Sequence, residues 1–96
     1  MSQVLAKAPH ARFSLGQVVI TPGANELLRG FDFVPLLTRH HAGDWGEVPP
    51  DDAVANERAI REEDRIMSAY TVNGKRVWVI TEWDSSVTTL LLPDEY

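Results

Sequence analysis

The residues best suited to chemistry are Arg39, His40, Glu82 and Thr88. Arg39 and His40 sit in the run Arg39-His40-His41, which closes a helical segment and opens a glycine-rich loop. Three readings of that run stand side by side. Cationic side chains at a helix C-terminus interact favourably with its partial negative charge. Metal binding would use His40, His41 and Asp44, although adjacent histidines diverge on a helix and the four-residue spacing of helix-borne zinc ligands is absent. Acid–base catalysis would make His40 the proton carrier and Arg39 the group that stabilises developing charge, as in metal-independent ribonucleases. Glu82 ends an apolar strand, where burial raises a carboxyl pKa toward that of a general base. It is equally placed to pair with Arg39, Arg65 or Arg76. Hydroxyls at Ser68, Thr81, Ser86 and Thr88 are placed to line the same sheet end and form a polar cleft with His40.

A second set of residues suits binding rather than catalysis: Asp44, Trp45, Trp83 and Asp84. Gly43-Asp-Trp-Gly46 holds an indole between two glycines, which fixes its angle. Trp45 is then either an anchor on the core or an interface side chain. Trp83 lies between Glu82 and Asp84 and is expected to be partly exposed, whereas Trp78 is expected in the core.

The charge favours partners of opposite sign. Residues 1–40 sum to +2, residues 41–96 to −7, and the whole 96-residue chain to −5. No Lys/Arg cluster provides the basic face that duplex DNA requires. An acidic face suits a basic protein surface, and it equally keeps a helix surface solvated. There is no cysteine, so disulfides, thiolate metal sites and a cysteine nucleophile are excluded. No metal ligand set and no cofactor motif stands out, and no Ser-His-Asp triad, P-loop or dinucleotide fingerprint is present. No apolar run reaches the length of a membrane span, and the first ten residues lack a signal-peptide core, so a cytoplasmic protein is expected.

The elements that must position these residues follow from pattern. Residues 1–12 read as a flexible tail and residues 13–96 as one α+β domain. Residues 17–21 are rich in β-branched residues and read as a strand. Thr21-Pro22 starts a short helix that stops at Gly30. Asp32 caps a second helix reaching about residue 40, residues 41–50 form a loop, and a third helix runs from Asp51 or Asp52 to about Asp64. Residues 66–72 and 75–81 are strands joined by Asn73-Gly74, the pair that a type I′ turn demands. Residues 87–92 are a last strand, stopped by Pro93. The expected fold is two to three helices packed on a small antiparallel sheet, a C-terminal three-stranded meander.

From about residue 13 to 96 the chain resembles a family of small plasmid-related proteins encoded on bacterial mobile elements. The resemblance rests on residues 20–24, on Arg39-His40 with Gly43-Asp-Trp-Gly46, and on Asn56. It continues through Ser68-Ala-Tyr70, residues 78–82, and Ser86 with residues 88–93. Members typically carry Ala-Asp-Arg where this chain has Trp83-Asp84-Ser85. They are often labelled as a type I restriction methylase subunit, yet 96 residues hold no methyl-donor domain and no Gly-rich loop follows a strand. The resemblance implies a mobile-element context and no defined activity. Two functions are therefore expected in competition. One is a small acidic accessory protein of the anti-defence or inhibitor type that binds a host or defence protein with a basic surface. The other is a small metal-independent endoribonuclease or toxin-like enzyme using Arg39, His40, Glu82 and Thr88. A homodimer closed by the Trp45 loop is a third arrangement.

Overall fold

The computed structural model describes residues 11–96. The expected tail falls outside the described residues up to residue 10. Arg12 belongs with the folded part. Its guanidinium donates to both Glu57 carboxylate oxygens at 2.9 and 2.7 Å, and its backbone N–H donates to the His41 carbonyl at 2.9 Å.

The chain runs β1 (Gln17–Ile20), α1 (Pro22–Leu27), α2 (Val34–His41), α3 (Pro50–Glu62), β2 (Ile66–Val72), β3 (Lys75–Thr81), β4 (Val87–Leu91) and a final 3-10 turn, Pro93–Glu95. Thr21 caps α1 by accepting the Ala24 N–H at 3.3 Å. The Asp32 carboxylate accepts the Val34 N–H at 3.1 Å, one residue ahead of the cap position Phe33. Helix α3 begins at Pro50, a residue earlier than expected, and stops at Glu63, which turns left-handed at φ 55°. Asn73 and Gly74 take φ 51° and 76°, the type I′ hairpin that their identities require.

The fold is α+β, with three helices and a four-stranded sheet among the described residues, in the order β1-β4-β3-β2. Strands β2, β3 and β4 form the expected antiparallel meander. The correction is β1, which adds a fourth strand parallel to β4 and makes the sheet mixed, with Gln17 opposite Val87 and Ile20 opposite Leu90. A parallel neighbour requires a long crossover, and the three helices provide it. Gly16 makes the approach feasible: its φ is +63°, and a Cβ there would lie 2.3 Å from the Ser86 carbonyl oxygen.

One sheet face carries the helices. Leu36 and Leu37 of α2 pack with Tyr70, Val77, Val79 and Leu90 in the main core. Trp45, Ala59 and Ile66 form a smaller one, and Phe13 touches both. Trp78 is not a core residue, as the alternation of β3 explains. Val77 and Val79 point to the helices, so Trp78 points the other way and lies half-buried, edge-on to Tyr96 with centroids 5.7 Å apart.

The outer edge of β2 is closed. The Asn56 amide donates to the Met67 carbonyl at 2.8 Å and accepts the Met67 N–H at 3.1 Å, in place of a neighbouring strand. Two residues along, Ala69 donates to the Trp45 carbonyl at 3.1 Å and accepts the Glu47 N–H at 2.7 Å. This contact requires Gly46, whose φ is +72° and whose Cβ would lie 2.1 Å from the Ala69 oxygen. The small motif Gly43-Asp-Trp-Gly46 and Asn56 thus shield an edge that would otherwise recruit strands. Replacing Asn56 by Ala leaves two backbone groups of Met67 without their partner. An Asn56→Ala variant is expected to lose about 1–3 kcal/mol of stability in urea denaturation with an unchanged m-value.

Candidate functional site

His40 lies on the buried side of the last turn of α2 and is 0% exposed. Its Nδ1 is 2.6 Å from the Ser68 hydroxyl, and its Nε2 is 2.9 Å from the Thr81 hydroxyl. Thr81 Oγ1 is 2.7 Å from Thr88 Oγ1, and Thr88 donates to the Leu15 carbonyl at 2.7 Å. Ser68, Thr81 and Thr88 are likewise fully buried.

The carbonyl at the end fixes the direction of the whole chain. Leu15 O can only accept, so the Thr88 proton points to it. The Thr88 oxygen then accepts from Thr81, and the Thr81 oxygen accepts from the His40 Nε2–H. Nδ1 is left as the acceptor of the Ser68 proton. The geometry therefore places a proton on Nε2, and burial, which disfavours the charged ring, leaves Nδ1 bare, so the imidazole is the neutral Nε2–H tautomer. Burial away from water pushes the His40 pKa down to about 3, and the neighbouring His41 adds to the shift. Phe13 lies edge-on to the ring at 5.1 Å and Trp45 at 6.0 Å. His41 is also buried, and its pKa is lowered by desolvation.

The other candidates lie elsewhere. Arg39 stacks its guanidinium 4.5 Å above the Tyr70 ring and pairs with Asp44 at 2.7 Å. That pair raises the Arg39 pKa and lowers that of Asp44. Asp44 also accepts the Gly46 N–H, and its carbonyl accepts the Tyr70 hydroxyl at 2.6 Å. Trp45 is only 7% exposed and donates its indole N–H to Glu57 at 3.1 Å, so it is an anchor of the loop. Glu82 accepts from Arg65 at 3.2 Å at the sheet end. Asp84 accepts the Ser86 N–H and hydroxyl at 3.1 and 2.6 Å, which lowers its pKa. Trp83 is 61% exposed.

Of the expected catalytic set, His40 and Thr88 share one hydrogen-bonded chain, while Arg39 and Glu82 are engaged in ion pairs of their own. Of the expected binding set, Asp44 and Trp45 lie along the β2 edge, and Trp83 and Asp84 lie on the β3–β4 turn. Ser68 and Thr81 join His40 as their strand positions suggest, but Ser86 does not, because its hydroxyl bonds Asp84. Glu57, which ties Arg12 to Trp45, had no signal in the sequence beyond its place in an acidic stretch. Among the described residues, no group of three or more His, Asp or Glu is placed to hold a metal ion, and no helix is long and apolar enough to cross a membrane.

A second cluster forms by topology. Ile66 pairs with Thr81, so the start of β2 and the end of β3 lie at the same sheet end. Glu62, Glu63 and Asp64 precede β2, and Glu82, Trp83 and Asp84 follow β3. Arg65 bridges the two segments through Glu82 and also bonds the Tyr96 hydroxyl. Five carboxylates therefore lie at the same sheet end as one exposed indole.

The lowered His40 pKa has a consequence for stability. The unfolded chain binds a proton at His40 below about pH 6.5 and the folded chain does not, so stability falls as pH drops through 6.5 toward 3. The loss at pH 5 is expected to be about 2 kcal/mol from this group, with His41 adding in the same direction. Denaturation curves between pH 7.5 and 5, windows chosen above the carboxylate range (about pH 4 and below), measure it. His40→Gln should be less stable at pH 7.5 and show a flatter pH slope, whereas equal slopes would place the titration elsewhere.

The chain matches no protein-family model, no curated protein and no solved structure.

Proposed function

We propose that this chain is a binding protein without catalysis of its own. In this reading it is a small acidic accessory protein of a bacterial mobile element that engages a basic surface on a host or defence protein. The observation that carries the reading is Trp83, 61% exposed on a tight turn, with Glu62, Glu63, Asp64, Glu82 and Asp84 at the same end of the sheet. An exposed tryptophan inside a polar rim is the type of side chain that dominates binding energy. The carboxylates supply long-range attraction to a cationic partner and reject nucleic acid. The turn is held by the Asp84–Ser86 bonds, so presenting the indole costs little ordering on binding. The mobile-element and anti-defence parts of the reading come from the resemblance alone.

The ribonuclease reading draws less support from this geometry. A general base must reach a substrate proton, and His40 is sealed beneath Phe13 and Trp45 with both ring nitrogens occupied.

Affinity capture from host lysate, with and without nuclease treatment, tests the proposal. A stoichiometric protein should be retained after nuclease treatment and be released by moderate salt. Trp83→Ala should weaken its capture by about 30-fold or more, with unchanged thermal stability. Capture of the same protein at wild-type strength by the variant, or cleavage of RNA that depends on His40, would overturn it.

A further inference from the structure

The two edges of the sheet are treated differently. The β2 edge is closed by Asn56 and by the Trp45–Glu47 backbone. At the opposite edge, β1 has three exposed residues and one half-buried residue. The Gln17 and Thr21 N–H groups donate to Ser86 and Leu90 of the β4 side at 2.9 and 3.0 Å. Strand alternation then turns the N–H and C=O of Val18 and Ile20 away from β4. Among the described residues, no element covers these four groups; β1 is short, at four residues, but carries no charge, no proline and no bulge to blunt the edge.

We propose that β1 is the self-association surface of this protein, pairing antiparallel with β1 of a second copy across a two-fold axis. The register follows from the groups themselves. Val18 faces Ile20 of the second copy, Ile20 faces its Val18, and Val19 lies on the axis opposite Val19. The two outward residues of each strand then exchange both of their bonds, giving four N–H···O=C bonds and leaving none of these groups unmade. Pro22 falls beyond the bonded ring, so its missing N–H removes no bond. The two Val19 side chains meet on the helix-free face, and both copies keep their helices on the same side of one eight-stranded sheet.

Charge selects a second copy as the occupant. Residues 13–25 form a run of thirteen uncharged residues that contains β1 and both its flanks, in a chain that is 24% charged. Within β1 itself two copies of net charge −5 place no like charges opposite one another; the Glu95 carboxylate that reaches the flank of β1 is engaged by the Thr21 hydroxyl and the Gly23 N–H, and most of the acidic cluster lies beside β2 and β3. A highly charged partner would find no complementary charge on this edge. The turn that carries Trp83 packs on Gly16 at the entry to β1, but the paired edge is Val18–Ile20, and substitutions at Val19 leave Trp83 unchanged, so the two proposals are tested separately. It also differs from a dimer closed by the Trp45 loop, whose indole is buried.

Sedimentation equilibrium of the full chain from about 10 µM to about 1 mM, a range suited to a small interface, is the test. The mass should rise toward twice the monomer, and the Val18 and Ile20 amides should gain protection from hydrogen exchange with concentration. Val19→Lys and Val19→Glu each place two like charges on the axis and should each weaken the dimer about tenfold while preserving the monomer fold. Mixing the two variants should restore association as a heterodimer. A monomer at every concentration, a dimer unaffected by either substitution, or variants that fail to complement one another would overturn the proposal. If either variant is unfolded, the amide protection in the wild-type chain decides: protection at Val18 and Ile20 supports the interface, and its absence refutes it.

Discussion

The fold depends on disposing of one buried imidazole. His40 is carried into the interior by the same helix face that buries Leu36 and Leu37, and a ring with two polar nitrogens is costly there unless both are bonded. The solution is a single directed chain from Ser68 through His40, Thr81 and Thr88 to the Leu15 carbonyl. That chain joins α2, β2, β3, β4 and the segment entering β1. It fixes how far the helix can slide over the sheet. It also explains why the chain before β1 sits where it does, because the last hydroxyl needs a carbonyl. The same requirement governs the β2 edge, where the Asn56 amide and the Gly46 turn satisfy backbone groups that no strand covers.

This arrangement separates the residues that look chemical from those that are available. His40, Ser68, Thr81 and Thr88 in the interior are absorbed by structure, while the buried His41 keeps an Nδ1 without a partner among the described residues. Arg39 and Asp44 neutralise one another over Tyr70, and Glu57 is shared by Arg12 and Trp45. Among the described residues, Trp83 stays exposed at the acidic end and β1 keeps unpaired backbone along the opposite edge. Gly43-Asp-Trp-Gly46, Asn56, Ser68 and Thr81 build this interior and its edge cap.

Much of the scaffold was legible in the sequence. The Asn73-Gly74 hairpin, the Thr21-Pro22 helix start and the alternation of β2 and β3 are local signals, and each element is found within a residue or two of its expected place. The pairing of β1 with β4 was not legible, because it joins residues seventy apart through a close approach that only Gly16 allows. Trp78 was misplaced because four consecutive apolar residues conceal which face is covered. The convergence of Ser68, Thr81 and Thr88 on His40 was anticipated, but not its burial: a catalytic histidine and a structural one use the same residue types. Only the positions of Phe13 and Trp45 above the ring distinguish them, and those depend on tertiary packing.

The most direct test of this account is the protonation of His40 in the folded protein, followed by nitrogen-15 chemical shifts of the imidazole across a pH titration. The account predicts one neutral Nε2–H tautomer that persists without titrating from pH 7.5 down to the onset of acid unfolding. A His40 ring that titrates near its ordinary value of about 6.5 while the protein remains folded, or that populates the Nδ1–H tautomer, would contradict it and return His40 to the list of groups open to chemistry.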